Sequence, residues 1–341
     1  MEAKYYSIIG GKAHCSLCPH RCKITDGYKG VCQVRKLDGG KLVALSYGVV
    51  SAVALDPIEK KPLYHYHPGS LIYSVGSVGC NFRCPFCQNH TIAYADGDDL
   101  MQYRTGVSPH ELQAGALEAI PRKNIGVAYT YNEPTVWYEF MYDTAKLITD
   151  VGLKNVMVSN GYIEPLPLHN LMPLMDAFNI DLKGYDNAFY RRMTGGSIEP
   201  VLSTLQSIRK AEKHLEISYL VIPQENDHPQ KFREMVLWLR DHVGKETVLH
   251  INRYFPSYKM DTPPTAIKKL VELYEIAREQ LPYVYVGNTG IPEYNHTYCR
   301  KCGKLQVERQ GMHGEIVGLT PNGDCAGCGT PSQVVVKRCN A

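Results

Sequence analysis

Short apolar runs alternate with longer amphipathic segments through the middle of this 341-residue chain. Apolar residues at helical spacing predict helices over Thr135–Val151, Asp227–Val243 and Pro264–Leu281. A further helix is predicted to begin at Ser108, where a capping box with Glu111 has proline at the first helical position. The apolar runs predict seven strands, which are Leu71–Val75, Ile125–Tyr131, Asn155–Ser159, Ala177–Leu182, Leu215–Ile222, Val248–Ile251 and Tyr283–Val286.

This alternation of strands and helices predicts an α/β fold. Strands separated by helices pair in parallel through crossover connections. Seven strands fit a partial (β/α) barrel resembling a TIM barrel better than a short doubly wound sheet, although their spacing alone leaves the second fold open. We expect three domains: a cysteine-rich module over residues 1–68, a core over 69–290 and a metal-binding module over 291–341.

The composition limits the classes of partner. Hydrophobic residues make up 44% of the chain and charged residues 21%, as in ordinary soluble globular proteins. A net charge of +3, with basic residues scattered, is too small to predict binding to nucleic acid or an anionic membrane. The sequence shows no secretion signal and no apolar run near the ~20 residues that span a bilayer, so we expect a cytoplasmic protein.

The chain contains twelve cysteines. Without a secretion signal, such cysteines indicate metal ligands rather than disulfides, and they favour a reducing, oxygen-poor cell. Cys339 stands alone and is interpreted as a bystander. The others form three groups, which are Cys15, Cys18, Cys22 and Cys32; Cys80, Cys84 and Cys87; and Cys299, Cys302, Cys325 and Cys328.

The middle group has C-x3-C-x2-C spacing on a short loop after the first predicted strand. Three thiolates at this spacing suit three irons of a cubane cluster and leave the fourth iron open for chemistry. The alternative is a zinc knuckle completed by His90, which follows Cys87 with two residues between them. The position of the loop at the start of the β/α alternation favours the cluster.

Polar residues follow the next three strands at their carboxyl ends, where parallel α/β folds bind ligands. They are Tyr131, Asn132 and Glu133 after the second strand, Ser159 and Asn160 after the third, and Asp181 and Lys183 after the fourth. Each group also has an ordinary structural interpretation: a helix N-terminus at Glu133, a turn at Asn160, and an ion pair between Asp181 and Lys183. Their succession after a cysteine loop favours one shared binding site.

These motifs, with the aromatic Phe86 before the last cysteine of the loop, resemble the radical S-adenosylmethionine (radical SAM) superfamily. Their order resembles the branch that contains pyruvate formate-lyase activating enzyme. Residues 15–32, 62–69, 128–135 and 250–258 further resemble the radical SAM enzyme of the AmmeMemoRadiSam system, and together the resemblance spans nearly the whole chain.

The resemblance implies that Cys80, Cys84 and Cys87 hold a [4Fe–4S] cluster. That cluster would cleave S-adenosylmethionine to a 5′-deoxyadenosyl radical, which abstracts hydrogen from an unidentified substrate. Flavodoxin or ferredoxin would be the electron donor, and Memo-like and other AmmeMemoRadiSam proteins would be partners. The cofactor-binding residues would be Phe86, Tyr131, Asn132, Glu133, Ser159, Asn160, Asp181 and Lys183, with Tyr131 and Asn132 in place of the usual glycines.

The two terminal cysteine groups predict further metal sites. Cys299, Cys302, Cys325 and Cys328 form two C-x2-C pairs that are typical of a zinc ribbon or, as second choice, a rubredoxin-type iron site. Cys15, Cys18, Cys22 and Cys32 have a less decisive spacing. They are consistent with an auxiliary iron–sulfur cluster, a structural zinc or several buried thiols, and a metal is slightly favoured.

Two other functions compete with this interpretation. One is a glycyl-radical activating enzyme that acts on a partner protein, and the other is a non-catalytic iron–sulfur or zinc protein. The polar residues at the strand ends argue against the second, because an electron carrier needs no such pocket.

Among the histidines, His65 and His67 are interpreted chiefly as packing residues. His250 is predicted, with Arg253 and Tyr258, to contact substrate, because all three follow the sixth strand.

Overall fold

The computed structural model describes residues 1–336. Its N-terminal segment is built from short antiparallel strands, which form one three-stranded and one two-stranded sheet. These strands are β1 (Tyr6–Ile9), β2 (Lys12–Cys15), β3 (Lys23–Ile24), β4 (Arg35–Asp38) and β5 (Lys41–Ala44).

An eight-stranded sheet forms the centre of the fold. Its strands lie in chain order, with seven parallel strands from β7 to β13 and β6 antiparallel to β7 at one edge. They are β6 (Ala52–Pro57), β7 (Leu71–Gly76), β8 (Asn124–Tyr129), β9 (Lys154–Ser159), β10 (Ala177–Asp181), β11 (His214–Val221), β12 (Val248–Arg253) and β13 (Tyr283–Gly287).

This order confirms the predicted partial barrel. A doubly wound sheet reverses its strand order at a switch point, whereas β7 to β13 continue in one direction without a reversal. All seven predicted strands are present, with ends within two residues of the prediction. The additional strand β6 lies before residue 68, so the segment predicted as an N-terminal module contributes one strand to the central sheet.

Eight α-helices connect and cover the strands in the described chain. The predicted capping box at Ser108 is formed, with both of its hydrogen bonds, at the start of α2. The helices are α1 (His90–Ala93), α2 (Pro109–Glu118), α3 (Tyr138–Asp150), α4 (Pro165–Leu171), α5 (Asn187–Met193), α6 (Glu199–Lys210), α7 (Pro229–His242) and α8 (Ile267–Arg278). No helix within residues 1–336 is long and apolar enough to cross a membrane.

The C-terminal segment forms a small antiparallel sheet of β14 (Thr297–Tyr298), β15 (Leu305–Gln310) and β16 (His313–Ile316). Buried Arg309 joins this sheet to the amino-terminal end of the barrel. Its guanidinium donates to the backbone oxygen of Tyr64, and to Thr297 Oγ1 at 2.8 Å. Cys339 lies outside the described residues.

Candidate active site

Cys80, Cys84 and Cys87 lie on the loop that leaves the carboxyl end of β7. Cys84 is buried, the other two are partly buried, and none of the three forms a disulfide. The backbone N–H of Phe82 donates to Cys80 Sγ at 3.3 Å, and the Tyr94 hydroxyl donates to the Cys84 carbonyl oxygen at 2.7 Å. Hydrogen bonds to the sulfurs are among the features that tune protein-bound iron–sulfur clusters.

The electrostatic surroundings of these thiols suit metal binding. Burial raises the pKa of Cys84 to about 12 and holds the pKa of Cys80 well above its ordinary value. Nearby Lys183 opposes this effect by lowering the pKa of Cys84. The metal-free thiols are therefore protonated at neutral pH, and a metal that binds as thiolate complex displaces their protons.

His90 does not complete a zinc site with these cysteines. Its Nδ1 lies 3.3 Å from the carbonyl oxygen of Cys87, and its ring stacks on Tyr258 with 4.6 Å between centroids. Among residues 1–336, only the C-terminal cysteines form a group of ligand atoms close enough for one metal ion. The loop thus fits a polynuclear cluster, whose irons take separate thiolates, better than a zinc knuckle.

Glu133 is buried beyond the end of β8, and its carboxylate holds the turn that follows β9. Oε1 accepts hydrogen bonds from the Ser159 hydroxyl at 2.7 Å and the Thr135 N–H at 2.9 Å, while Oε2 accepts from the Asn160 N–H at 2.8 Å. Burial raises the pKa of Glu133 despite these donors. A carboxylate has about four acceptor positions, so these three donors leave about one free for a ligand. Direct contact between Glu133 and the cofactor stays a prediction.

The Asn160 side chain reaches from the end of β9 to the cysteine loop. Its Nδ2 donates to Asn81 Oδ1 at 2.8 Å and lies 3.8 Å from Cys80 Sγ. Asn81 Nδ2 donates in turn to the carbonyl oxygen of Tyr162 at 2.7 Å. These bonds fix the first cysteine relative to the third parallel strand and bring two predicted site residues together.

Tyr131 has the backbone conformation that a glycine would adopt most easily. Its φ is +73°, in the left-handed region. Tyr131 therefore keeps a backbone conformation that glycine adopts readily, although it stands where the family usually has glycine. The Tyr131 carbonyl accepts from Asn89 Nδ2 at 2.7 Å, and its hydroxyl donates to Asp56 at 2.6 Å. Asp56 also pairs with buried Lys61 at 2.7 Å.

Asn132 joins the two sides of the segment that leads into the cysteine loop. Its Oδ1 accepts from the Ser77 N–H at 3.0 Å, and its Nδ2 donates to the Gly79 carbonyl oxygen at 2.9 Å. Both amide groups are therefore engaged with the backbone. This arrangement gives Asn132 a positioning role.

Asp181 is the last residue of β10 and Lys183 follows two residues later; they form an ion pair with 2.8 Å between Lys183 Nζ and Asp181 Oδ2. Burial alone would lower the pKa of Lys183, but Asp181 and the thiol of Cys84 together raise it. Its cation is therefore held beside the cysteine loop. Asp181 keeps a second carboxylate oxygen, so the pair presents one cationic and one anionic group at the same strand end.

The remaining candidates near the loop have mixed outcomes. Phe86 is buried in the core. Tyr258 lines a cleft of about 370 Å³ beside the loop, with Tyr94 and Arg83. Arg253 Nε donates to the Thr265 carbonyl oxygen at 2.9 Å.

The sequence predicted His250 at the carboxyl end of the sheet, and this prediction is wrong. It lies within β12, it is buried, and its Nε2 is 2.6 Å from Glu216 Oε2. Glu216 lies near the amino end of β11, so the imidazole is directed away from the carboxyl ends. His65 is buried with Nε2 2.6 Å from the Tyr285 hydroxyl, as expected of a packing residue.

Comparison with known proteins connects this geometry to a family. The model of the Radical SAM superfamily matches residues 74–236, which include the cysteine loop and all of the polar strand ends. An uncharacterized protein of Methanocaldococcus jannaschii, MJ0808, is 40% identical over 340 residues, which cover 98% of this chain and 99% of that protein. The chain belongs to the radical SAM superfamily.

Other relatives are more distant. Pyruvate formate-lyase-activating enzyme of Listeria monocytogenes is 25% identical over 171 residues, which cover 46% of this chain and 64% of the relative. Among solved structures, a radical SAM methyltransferase from Sphaerobacter thermophilus aligns with a TM-score of 0.49 and 12% identity, over 69% of this chain and 70% of that one.

Membership of the radical SAM superfamily makes this chain an enzyme. It implies S-adenosylmethionine and a [4Fe–4S] cluster as cofactors, and the geometry at the carboxyl ends fits both. Cys80, Cys84 and Cys87 offer three thiolates, and Lys183 and Asp181 offer charged groups beside them. The predicted cofactor residues thus meet at one end of the sheet, although their individual roles stay predictions.

The C-terminal cysteines form a different kind of site. Their four sulfur atoms lie within 4.8 Å of one another, with 3.7 Å between Cys299 and Cys328 and 3.6 Å between Cys302 and Cys325. A tetrahedral ion with bonds of about 2.3 Å places its sulfur ligands about 3.8 Å apart. The predicted four-cysteine module is therefore preorganised for a single ion.

Sequence analysis missed a buried network around Glu216 in the amino-terminal half of the barrel. The Glu216 carboxylate accepts from the backbone N–H groups of Tyr64 at 2.9 Å and His65 at 2.7 Å. It also contacts the imidazoles of His214 at 2.9 Å and His250 at 2.6 Å. The available signal was a glutamate within the largely apolar run of β11, which predicts a buried charge with partners.

Proposed function

We propose that this chain binds a [4Fe–4S] cluster through Cys80, Cys84 and Cys87 and uses it to cleave S-adenosylmethionine reductively. Bound there, the cluster would supply one electron for cleavage of the carbon–sulfur bond to the 5′ carbon of S-adenosylmethionine, which would give methionine and a 5′-deoxyadenosyl radical able to abstract a hydrogen atom from the substrate. The observation that supports this most strongly is the convergence of Asn160 and the Asp181–Lys183 pair on the three-cysteine loop.

The residues around the loop divide the work of binding and orientation. Lys183 is suited to the carboxylate of the methionine moiety, because its cation is held at the loop by Asp181. Asp181 and Asn160 are suited to hydroxyl groups of the ribose. Glu133 positions Ser159 and Asn160 through the bonds to its carboxylate.

Anaerobic reconstitution with iron and sulfide, followed by reduction and addition of S-adenosylmethionine, tests this proposal. We expect methionine and 5′-deoxyadenosine in equal amounts. We also expect the electron paramagnetic resonance (EPR) signal of the reduced cluster to change when S-adenosylmethionine binds. A reconstituted protein that carries iron but neither binds nor cleaves S-adenosylmethionine would refute the proposal.

A second candidate is the activation of a glycyl-radical enzyme. The similarity to pyruvate formate-lyase-activating enzyme over 171 residues supports it. In that case the hydrogen would come from a backbone glycine of a partner protein. Incubation with a candidate partner would produce a glycyl-radical EPR signal on that partner, whereas a small-molecule substrate would leave the partner without one.

The finer assignment is to the AmmeMemoRadiSam system, with Memo-like proteins as partners and flavodoxin or ferredoxin as electron donor. The sequence stretches at residues 15–32, 62–69, 128–135 and 250–258 support it. We propose zinc for the C-terminal site, because its four thiols are already at the spacing of a tetrahedral ion. Elemental analysis would distinguish zinc from a rubredoxin-type iron.

A further inference from the structure

We propose that Cys15, Cys18, Cys22 and Cys32 hold a second iron–sulfur cluster, of the [4Fe–4S] type, which relays electrons to the cluster at the central loop. The four thiols line one small and largely apolar cavity in the N-terminal segment. Cys15 and Cys32 are buried and the other two are partly buried. Four cysteines supply the complete ligand set of such a cluster, so no iron would be left open for a substrate.

The spacing of the thiols separates a cluster from a zinc ion. One tetrahedral ion requires four sulfur atoms about 3.8 Å apart, as the C-terminal cysteines have. In the described part of the chain, the N-terminal cysteines do not form such a tight group, although they share a cavity. Wider spacing around one cavity is what a cubane requires, because each thiolate binds a different iron. In this respect they match the central loop.

A buried arginine at the cavity gives a second, independent indication. Arg35 lines the cavity, is 1% exposed, and donates from Nη1 to Cys15 Sγ at 3.3 Å. Its Nη2 pairs with Glu139, but its Nε–H has no hydrogen-bond partner among the described residues. A buried donor of this kind is costly unless a ligand accepts from it. An anionic cluster, with sulfide and thiolate acceptors, would use both the charge and the donor.

The cavity lies directly beside the central cysteine loop. Gly79, which precedes Cys80, has a φ of +87°, and a Cβ added there would lie 2.9 Å from the carbonyl oxygen of Cys32. His20 Nε2 lies 2.6 Å from the Asn81 carbonyl oxygen. The two cysteine-bearing segments are therefore in backbone contact. Glycine at position 79 permits this approach, since any side chain would force the segments apart.

This contact suggests the role of the second cluster. A low-potential one-electron donor protein would reduce the N-terminal cluster and be oxidised by one electron. The N-terminal cluster would then reduce the central cluster by one electron and return to its oxidised state. The relay rests on the proposed function, whereas the presence of a second cluster does not.

Metal content tests the site without altering it. In a Cys80→Ala/Cys84→Ala/Cys87→Ala variant, reconstituted anaerobically, we expect about four iron and four sulfide per chain to remain, against about eight in the wild type. The remaining EPR signal should not respond to S-adenosylmethionine. Loss of all iron from this variant, while the wild type retains a responsive central cluster, would overturn the second cluster and leave the proposed function standing. Two zinc ions per wild-type chain would overturn it equally.

The reciprocal variant is Cys15→Ala/Cys18→Ala/Cys22→Ala/Cys32→Ala. It should keep the signal that responds to S-adenosylmethionine and lose the other half of the iron. If this variant fails to fold, Arg35→Lys provides a milder test, with the equally buried Arg309→Lys as matched control. Arg35→Lys should lower the reduction potential of the unresponsive signal alone, and Arg309→Lys should shift neither. A shift of only the responsive signal would contradict the assignment.

The relay is tested by the route of reduction. With a reduced flavodoxin as donor, the central cluster of the N-terminal cysteine variant should be reduced at least tenfold more slowly than that of the wild type. With dithionite, a small reductant, the two rates should be similar. Equal rates with flavodoxin would overturn the relay, and the iron count would still decide whether the second cluster exists.

Discussion

The two ends of the central sheet each hold a buried glutamate in a polar network, yet the networks differ in direction. At the carboxyl end, the Glu133 carboxylate accepts a hydrogen bond from the backbone N–H of Asn160, and the Asn160 side chain reaches Cys80 in the cysteine loop. At the amino end, Glu216 is saturated by two backbone N–H groups and two imidazoles, and all of these partners are themselves buried or half-buried in the core. Burial is the same at both ends, so burial alone does not identify the active site.

The cysteines at the two ends differ in the same way. The central loop presents three thiols without a tight group around one point, whereas the C-terminal module near the amino end presents four within 4.8 Å. An incomplete ligand set leaves a metal position open for a substrate, whereas four thiols around a single ion serve the fold. A substrate-binding metal site is thus recognised by the ligand position that the protein leaves open.

The largest effect that this contrast predicts is for Cys84→Ala. Loss of one of three ligands should abolish the central cluster and with it all cleavage of S-adenosylmethionine. The C-terminal metal should remain, because its ligands lie at the other end of the sheet. Methionine release and elemental analysis measure the two effects separately. Full cleavage by this variant would remove the basis for treating the carboxyl end as the active site.

The reciprocal change is Cys302→Ala with Cys328→Ala. We expect the loss of one tightly bound metal ion and a less stable C-terminal module, because binding of a structural metal is part of the folding energy. The central cluster should survive. Elemental analysis and limited proteolysis near residue 300 are the measurements. Unchanged metal content would show that the four thiols do not form the site that their spacing indicates.

The sequence revealed the carboxyl end better than the amino end, for a physical reason. Buried parallel strands appear as apolar runs, and polar residues that follow them stand out at once, as Asn160 and Lys183 do. Apart from the local contact with His214, the Glu216 network joins residues 34 to 152 positions apart, and no local pattern encodes those contacts. His250 was misplaced for this reason, because its position in the chain does not reveal which end of the strand its ring reaches.

Two other features escaped the sequence for related reasons. β6 pairs antiparallel with β7 at the edge of the sheet. It ends in Pro57 and is followed only by a three-residue 3-10 helix, Ile58–Lys60, so a β/α pattern did not reveal it. The role of Glu133 was predicted as cofactor contact from the family resemblance. The Thr135 donor is local, but the Ser159 and Asn160 donors are brought to Glu133 only in the folded chain, so the positioning role could not be predicted.

Glu216→Gln tests the closed network directly. The carboxamide would turn an NH2 group toward backbone N–H groups that now donate to the carboxylate. We expect the free energy of unfolding to fall by about 3–5 kcal/mol, the range for breaking a buried charged network. Urea denaturation measures it, with exposed Glu118→Gln as control. An unchanged stability would show that the network does not contribute to holding the amino end together.

The same variant should show a characteristic pH dependence. Burial alone would raise the pKa of Glu216, but His214 and His250 hold it well below its ordinary value. A lowered pKa in the folded state stabilises the fold above the unfolded value of about 4.3, and this stabilisation is lost as the pH falls toward the folded value. The difference between wild type and Glu216→Gln should therefore shrink below about pH 4.3. Effects of acid on the metal sites are common to both proteins and cancel.

Lys183→Ala measures the open network at the carboxyl end. Lys183 is held beside the cysteine loop by Asp181, where the carboxylate of a methionine moiety would meet it. Loss of a charge-assisted hydrogen bond should weaken S-adenosylmethionine binding by about 1.5–3 kcal/mol, which is roughly ten- to a hundredfold in affinity. Iron–sulfur absorbance should persist, because Lys183 is not a ligand.

Lys154→Ala, which breaks the ion pair with Asp176 at the start of β9, is the matched control and should leave the affinity unchanged. Anaerobic titration decides between the roles: wild-type affinity in Lys183→Ala means that this ion pair, like Glu216, serves only the fold, and loss of the cluster means that Lys183 supports the loop rather than the cofactor.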